Sequence, residues 1–180
     1  MPNDLSEVSK VREYILPYCI GKGLDIGCGA EKITPDAIGL DYKRQYGINF
    51  FPQTVADVLG PWEETLMAVI EKEGKMDYVL SSHLLEDSLD IEPSLRIWTD
   101  ALRVGGYLIL VLPIEEIFKK HCRETGEVYN LAHRQNWSGV AEFIARLPIW
   151  FMEKMELVEW KDKVGIYSFF VIAKKMQDNS

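Results

Sequence analysis

Apolar positions along the chain follow two patterns. Short unbroken runs alternate with longer stretches in which apolar residues recur every three or four positions. The first pattern fits strands buried on both faces, and the second fits amphipathic helices. Strands are expected at Leu24 to Ile26, Ala37 to Leu40, Met76 to His83 and Tyr107 to Leu112, the last stopped by Pro113. Ala56 to Gly60 reads as the end of a short third strand or the turn after it. A helix is expected over residues 4–20, capped by Asp4 or Ser6, striped by Val8, Val11, Ile15 and Leu16, and ended by Pro17. A second begins at Pro61 and carries Trp62, Leu66, Val69 and Ile70, closing at Gly74. A third carries Ile91, Leu95, Trp98 and Leu102, with Gly105-Gly106 as its left-handed cap. Trp137 to Leu147 reads as another helix. Ile149 to Trp160 and Ile166 to Lys174 read as two strands joined by a hairpin-length loop, Lys161 to Gly165.

Strand and helix alternate, so the expected class is α/β with a largely parallel sheet. One crossover is short. Glu31 to Asp36 holds about one helical turn, where a full crossover needs at least about ten to twelve residues.

Composition narrows this picture. The 180 residues fit one domain with a substantial core, 47% are hydrophobic, and the net charge is −8. An acidic chain without a basic patch is a poor partner for a phosphate backbone, so no nucleic acid is expected. Cys19, Cys28 and Cys122 form neither a disulfide framework nor a zinc spacing, so no metal is expected. There is no signal-peptide pattern and no apolar run long enough to span a bilayer, and a soluble cytoplasmic protein is expected.

The chemistry gathers at strand ends. Leu24-Asp25-Ile26 runs into Gly27-Cys28-Gly29-Ala30, a strand followed by a glycine turn. A dinucleotide fingerprint would place a third glycine at position 32, where Lys32 stands, and this disfavours a pyrophosphate. Asp41 follows the second strand and is suited to both hydroxyls of a ribose, with Tyr42 beside it. Asp57 and the Val58 backbone suit the edge of an adenine. Ser81, Ser82 and His83 end the fourth strand on the same crevice, and His83 is a candidate base. The polar stretch 114–136 follows the fifth strand. It carries Arg123, Tyr129, His133 and Arg134 as candidate acceptor contacts, with His133 the second candidate base.

This ordered set resembles the class I S-adenosylmethionine-dependent methyltransferases. Leu24-Asp25-Ile26-Gly27-Cys28-Gly29 resembles their first motif, and Ile38-Gly39-Leu40-Asp41 their ribose-binding motif. Asp77 to Glu86 resembles the fourth-strand motif, and Leu102 to Leu110 the segment leading into the fifth strand. The run Gly27 to Pro35 is similar to a type 11-like subgroup with a shortened first helix, often associated with bacterial glycan and cell-envelope gene clusters.

The resemblance implies a Rossmann-like doubly wound, mostly parallel seven-stranded sheet with an antiparallel C-terminal strand. It implies one domain over 1–180: an N-terminal helix (1–20), a cofactor-binding part (21–113), then an acceptor segment and hairpin (114–180). S-adenosyl-L-methionine would be held by Asp25, Gly27, Cys28, Gly29, Asp41, Tyr42, Asp57, Val58, Ser81 and Ser82. The expected reaction is O-methylation of a small polar or sugar-type acceptor, with a sugar or glycan precursor suggested by the subgroup. Two alternatives on the same fold are an inactive cofactor-binding regulatory protein and an aminopropyl transferase. Asp87 stands where the family's fourth-strand motif continues with histidine, so no role passes from that histidine.

Overall fold

The computed structural model describes residues 7–42 and 54–178. In chain order the elements are α1 (Glu7–Ile15), β1 (Gly23–Ile26), β2 (Ile38–Asp41), β3 (Val58–Leu59), α2 (Trp62–Glu73), β4 (Met76–Ser82), α3 (Ile91–Ala101), β5 (Leu102–Pro113), α4 (Glu115–Thr125), α5 (Val140–Ala145), α6 (Ile149–Lys154), β6 (Met155–Val164) and β7 (Ser168–Lys175). Short 3-10 turns cover Leu16–Tyr18 and Leu85–Asp87. The strands form one seven-stranded sheet in the order β3-β2-β1-β4-β5-β7-β6. The first five strands are mutually parallel, and β7 runs antiparallel to both β5 and β6.

Alternation along the central strands fills both faces. On β5, Leu108, Leu110 and Leu112 join Leu24, Ile26, Val79, Phe169 and Val171 under α2, α3, α5 and α6. Ile109 and Val111 point the other way, with Leu80, Phe170 and Ile172, to meet Val8, Val11 and Ile15 of α1. Full burial stabilises each such side chain by about 1.5–3 kcal/mol. Among the described residues, no helix is long and apolar enough to cross a membrane.

Several elements differ from the sequence expectation. The proposed caps Asp4 and Ser6 lie outside the described residues, as does the Trp62 side chain. Pro61 is the residue before α2 rather than its first turn. Leu16 leaves the α1 stripe and is exposed, because the chain tightens into a 3-10 turn at Pro17. Gly105 and Gly106 do not cap α3, which ends at Ala101. They lie inside β5, at an irregularity in its pairing with β4. Gly105 has φ +83, and a Cβ on Gly106 would sit 2.9 Å from the Asp77 carbonyl oxygen. The polar stretch after Pro113 opens with α4, ended by left-handed Gly126. The helix expected over 137–147 shortens to α5, and the first strand of the expected hairpin begins as helix α6. Lys161 to Val164 belong to β6, so the hairpin turn is shorter than expected.

Candidate active site

From β1 the chain builds outward through β2 and β3, then returns to place β4 on the other side of β1. That reversal opens a crevice at the carboxyl ends of β1 and β4, the usual ligand position in such sheets. Ile26 and Ser81 are partners across it.

The turn after β1 is built for close approach. Gly27 and Gly29 have φ +75 and +54, a region costly for any residue with a side chain. The Gly27 and Cys28 amides donate to the Leu40 carbonyl at 2.8 and 3.2 Å, fixing the turn to β2. A Cβ on Gly27 would press on Leu84, whereas one on Gly29 would meet no atom of the described residues within 4 Å. Among the described residues, nothing fills the space that Gly29 faces. Its amide donates to Asp41 Oδ2 at 3.0 Å, and Thr54 Oγ1 donates to the same oxygen at 2.9 Å. Asp41 Oδ1 accepts the Tyr42 amide at 2.7 Å, and the Tyr42 ring is exposed.

The other candidates near this turn have different work. Asp25 points to the α1 face of the sheet and is buried. Its Oδ2 accepts the Ile33 amide at 2.6 Å. Burial pushes Asp25 up to about 7, against the opposing pull of that amide, Arg12 and Lys32. Arg12 of α1 donates to the Ile33 carbonyl and pairs with Glu31 at 2.6 Å, so α1 and Asp25 grip the loop together. Cys28 packs toward Gly39, and burial pushes its thiol up to about 12, which removes it as a nucleophile.

Asp57 precedes β3 instead of following it. Its amide donates to the Gly39 carbonyl at 2.9 Å, level with the middle of β2. Its Oδ2 accepts the Gly39 amide at 2.8 Å and Lys32 Nζ at 2.9 Å, contacts that hold it below the usual carboxylate range. Val58 pairs with Leu40. Asp57 is thus a brace between β2, β3 and the loop.

At the end of β4 the hydroxyls of Ser81 and Ser82 are buried and have no hydrogen-bond partner among the described residues. Buried polar groups rarely stay unpaired. Two orphaned hydroxyls beside an open glycine turn and a strand-end acid fit a polar ligand such as an adenosyl group.

His83 follows with φ +52, its amide bonded to the Val111 carbonyl at 2.9 Å. Nε2 lies 2.9 Å from Ser168 Oγ, and Nδ1 lies 3.7 Å from Glu86 Oε1. His133 is brought to the same carboxylate: Nε2 is 3.7 Å from Glu86 Oε1, and Nδ1 is 3.0 Å from Glu115 Oε2. The His133 ring stacks on Phe118. Burial alone would raise Glu115, but hydrogen bonds from Tyr129, His133 and Lys119 hold it below the ordinary range. Tyr129 is itself pushed up, first by burial and then by its bond to Glu115. Glu86 and Glu115 are the members that the sequence reading missed. The signals for Glu86 were its place at the end of the stretch that resembles the fourth-strand motif and two leucines before it at a strand end.

The proposed acceptor contacts do not converge. Arg123 and Tyr129 line one groove of about 340 Å³ with Lys119 and Glu127. Arg134 lines another of about 340 Å³, with Gln135, Asn136 and Arg146. Among the described residues no group of three or more His, Cys, Asp or Glu is arranged to hold a metal.

No protein-family model matches the chain, and no curated protein matches it. Solved structures do match. An S-adenosylmethionine-dependent methyltransferase from Archaeoglobus fulgidus is 17% identical with a TM-score of 0.54, over 93% of this chain and 92% of its own. One from Anabaena variabilis is 15% identical with a TM-score of 0.57, over 94% and 84%. One from Methanosarcina mazei is 17% identical with a TM-score of 0.53, over 92% and 98%. The chain has the Rossmann-like fold of these methyltransferases.

Proposed function

We propose that the protein is an S-adenosylmethionine-dependent methyltransferase that methylates an oxygen of a small polar or sugar-type acceptor. One observation carries this reading. At the reversal point of the strand order, a glycine turn that no described residue fills is bonded through the Gly29 amide to the acid that ends the next strand, Asp41. The likeness of fold to known methyltransferases supports it. In this reading residues 21–113 hold the cofactor and 114–180 bear the acceptor.

Asp41 accepts three hydrogen bonds, and a carboxylate has about four acceptor sites, so it keeps capacity for a ribose hydroxyl. Gly27, Gly29, Ser81 and Ser82 complete the cofactor set. The bound cofactor supplies an electrophilic methyl group on a sulfonium. The chain's own task is to align the acceptor, and well-oriented pairs gain about 7–11 kcal/mol from proximity. His83 Nε2 takes the acceptor's proton, a contribution of about 10²–10⁴-fold. His133 is held between two carboxylates and supports His83 instead of touching the acceptor. The net charge of −8 favours a small acceptor over a nucleic acid.

The test is methyl transfer from isotope-labelled cofactor to a panel of monosaccharides and nucleotide sugars, read by mass spectrometry. A labelled methyl ether is expected on at least one hydroxylated acceptor. Arg134→Ala should lower transfer and leave S-adenosylhomocysteine affinity unchanged. Transfer only to amines would overturn the O-methylation reading.

A further inference from the structure

Glu86 enters the reading above only as one of the two carboxylates that hold His133, yet its side chain is fully buried between two imidazoles. We propose that Glu86 is the positioning residue of His83: its carboxylate fixes the imidazole with hydrogen on Nδ1 and balances the charge that the ring acquires when Nε2 takes the acceptor's proton. The proposal rests on the methyl-transfer reading of this site.

The geometry has a direction. Nδ1 of His83 faces Glu86 at 3.7 Å, and Nε2 faces Ser168 Oγ at 2.9 Å. The first separation exceeds a hydrogen bond, so the carboxylate acts on the N–H dipole of the neutral ring and forms an ion pair only with the protonated one. A carboxylate draws hydrogen to the ring nitrogen it faces, leaving the Nε2 lone pair to accept the Ser168 hydroxyl hydrogen. Second partners of this kind set which imidazole nitrogen is basic. Backbone bonds keep Glu86 in place, since its carbonyl accepts the Arg134 and Gln135 amides at 2.7 and 2.8 Å.

Around the ring stand one carboxylate, one hydroxyl and one phenol ring. The 3-10 turn presents Glu86, β7 presents Ser168, and Tyr167 stands edge-on from the preceding turn. Beyond Glu86 lie His133, then Glu115 and Lys119 of α4, with Lys119 Nζ 3.2 Å from Glu115. Asp87, raised by burial, stands next to Glu86.

The step balances. The acceptor oxygen forms a bond to the methyl carbon, the carbon–sulfur bond breaks, and its electron pair returns to sulfur. The acceptor proton passes to His83 Nε2 as the Ser168 hydroxyl turns away. The positive charge that leaves the sulfonium reappears on the imidazolium, opposite Glu86.

The chain has three histidines, which makes imidazole NMR tractable. In ¹⁵N-histidine-labelled protein, neutral His83 is expected in the Nδ1–H tautomer, with His121 as reference. Glu86→Gln keeps the shape and the backbone bonds. In that variant the His83 titration midpoint should fall by about one pH unit, tenfold in proton affinity. An unchanged midpoint in folded Glu86→Gln would overturn the proposal. So would an Nε2–H tautomer in the wild type, a measurement that needs no variant. Neither cofactor nor acceptor is needed, so failure here is distinct from failure of cofactor binding, which calorimetry reads separately.

Discussion

The Gly29 amide donates to the Asp41 carboxylate at 3.0 Å, making the turn after β1 and the end of β2 a single unit. This bond crosses from the end of β1 to the end of β2, beside the point where the strand order reverses. It pre-orients an acid beside a backbone that leaves room for a ligand. Rigid placement of this kind reduces the ordering cost of binding.

Gly29→Ala tests that room. A methyl group there meets no atom of the described residues within 4 Å, but φ +54 costs a residue with a side chain about 1–2 kcal/mol. A melting temperature lowered by a few degrees is expected from a loss of this size. S-adenosylhomocysteine affinity should fall at least about tenfold, near 1.4 kcal/mol. Thermal melting and calorimetry on the same sample separate the two effects. A variant with lowered stability and full affinity would place the ligand elsewhere.

Asp25 gives the fold a pH dependence. Burial raises it to about 7 in the folded chain, against about 3.9 when unfolded. Between those values the folded state holds a proton that the unfolded state lacks, so stability falls as pH rises from about 4 to about 7. The loss is complete above that window. Asp25→Asn keeps an acceptor for the Ile33 amide and cannot ionise. Its melting-temperature advantage over wild type should grow across the window and then level off. A constant difference from acid to alkaline pH would contradict the assignment.

Lys175 ties the last strand to the end of α3. Its buried Nζ donates to the Thr99 and Leu102 carbonyls at 3.0 and 2.8 Å. Lys175→Met fills similar volume and removes the ammonium from both carbonyls, the Thr99 carbonyl keeping the Leu102 amide, at a cost of about 1–3 kcal/mol. Urea denaturation should show a lower midpoint with an unchanged slope. An unchanged midpoint would mean that water replaces the ammonium.

Much of this was legible in the chain. The unbroken run Tyr107 to Leu112 formed a strand, and of the stripe Ile91, Leu95, Trp98 and Leu102 the first three formed a helix while Leu102 opens β5. The glycines at 105 and 106 misled because two glycines after a helical stripe look like a cap. Their real cause is the approach of β5 to the β4 backbone, a contact between distant residues. Ile149-Trp150-Phe151 has strand propensity but turns helical behind Pro148, with Phe151 fully buried. Helix α4 carried legible cues: acids in the first turn, Arg123 in the last and Gly126 after it. Its apolar face is Ile117, Phe118 and Cys122, too thin to stand out among polar neighbours. At the site, the glycine turn and Asp41 could be read from spacing. The meeting of Glu86 with His133 could not, because the chain folds back across α4 to make it.

The most direct measurement is calorimetry of S-adenosylhomocysteine with the wild type and with Asp41→Ala, each shown by circular dichroism to be folded. The account predicts binding to the wild type. It predicts an affinity about ten- to a hundredfold weaker in the variant, from ribose contacts worth about 1.5–3 kcal/mol each. Wild-type affinity in folded Asp41→Ala, or no binding to the wild type at all, would contradict it.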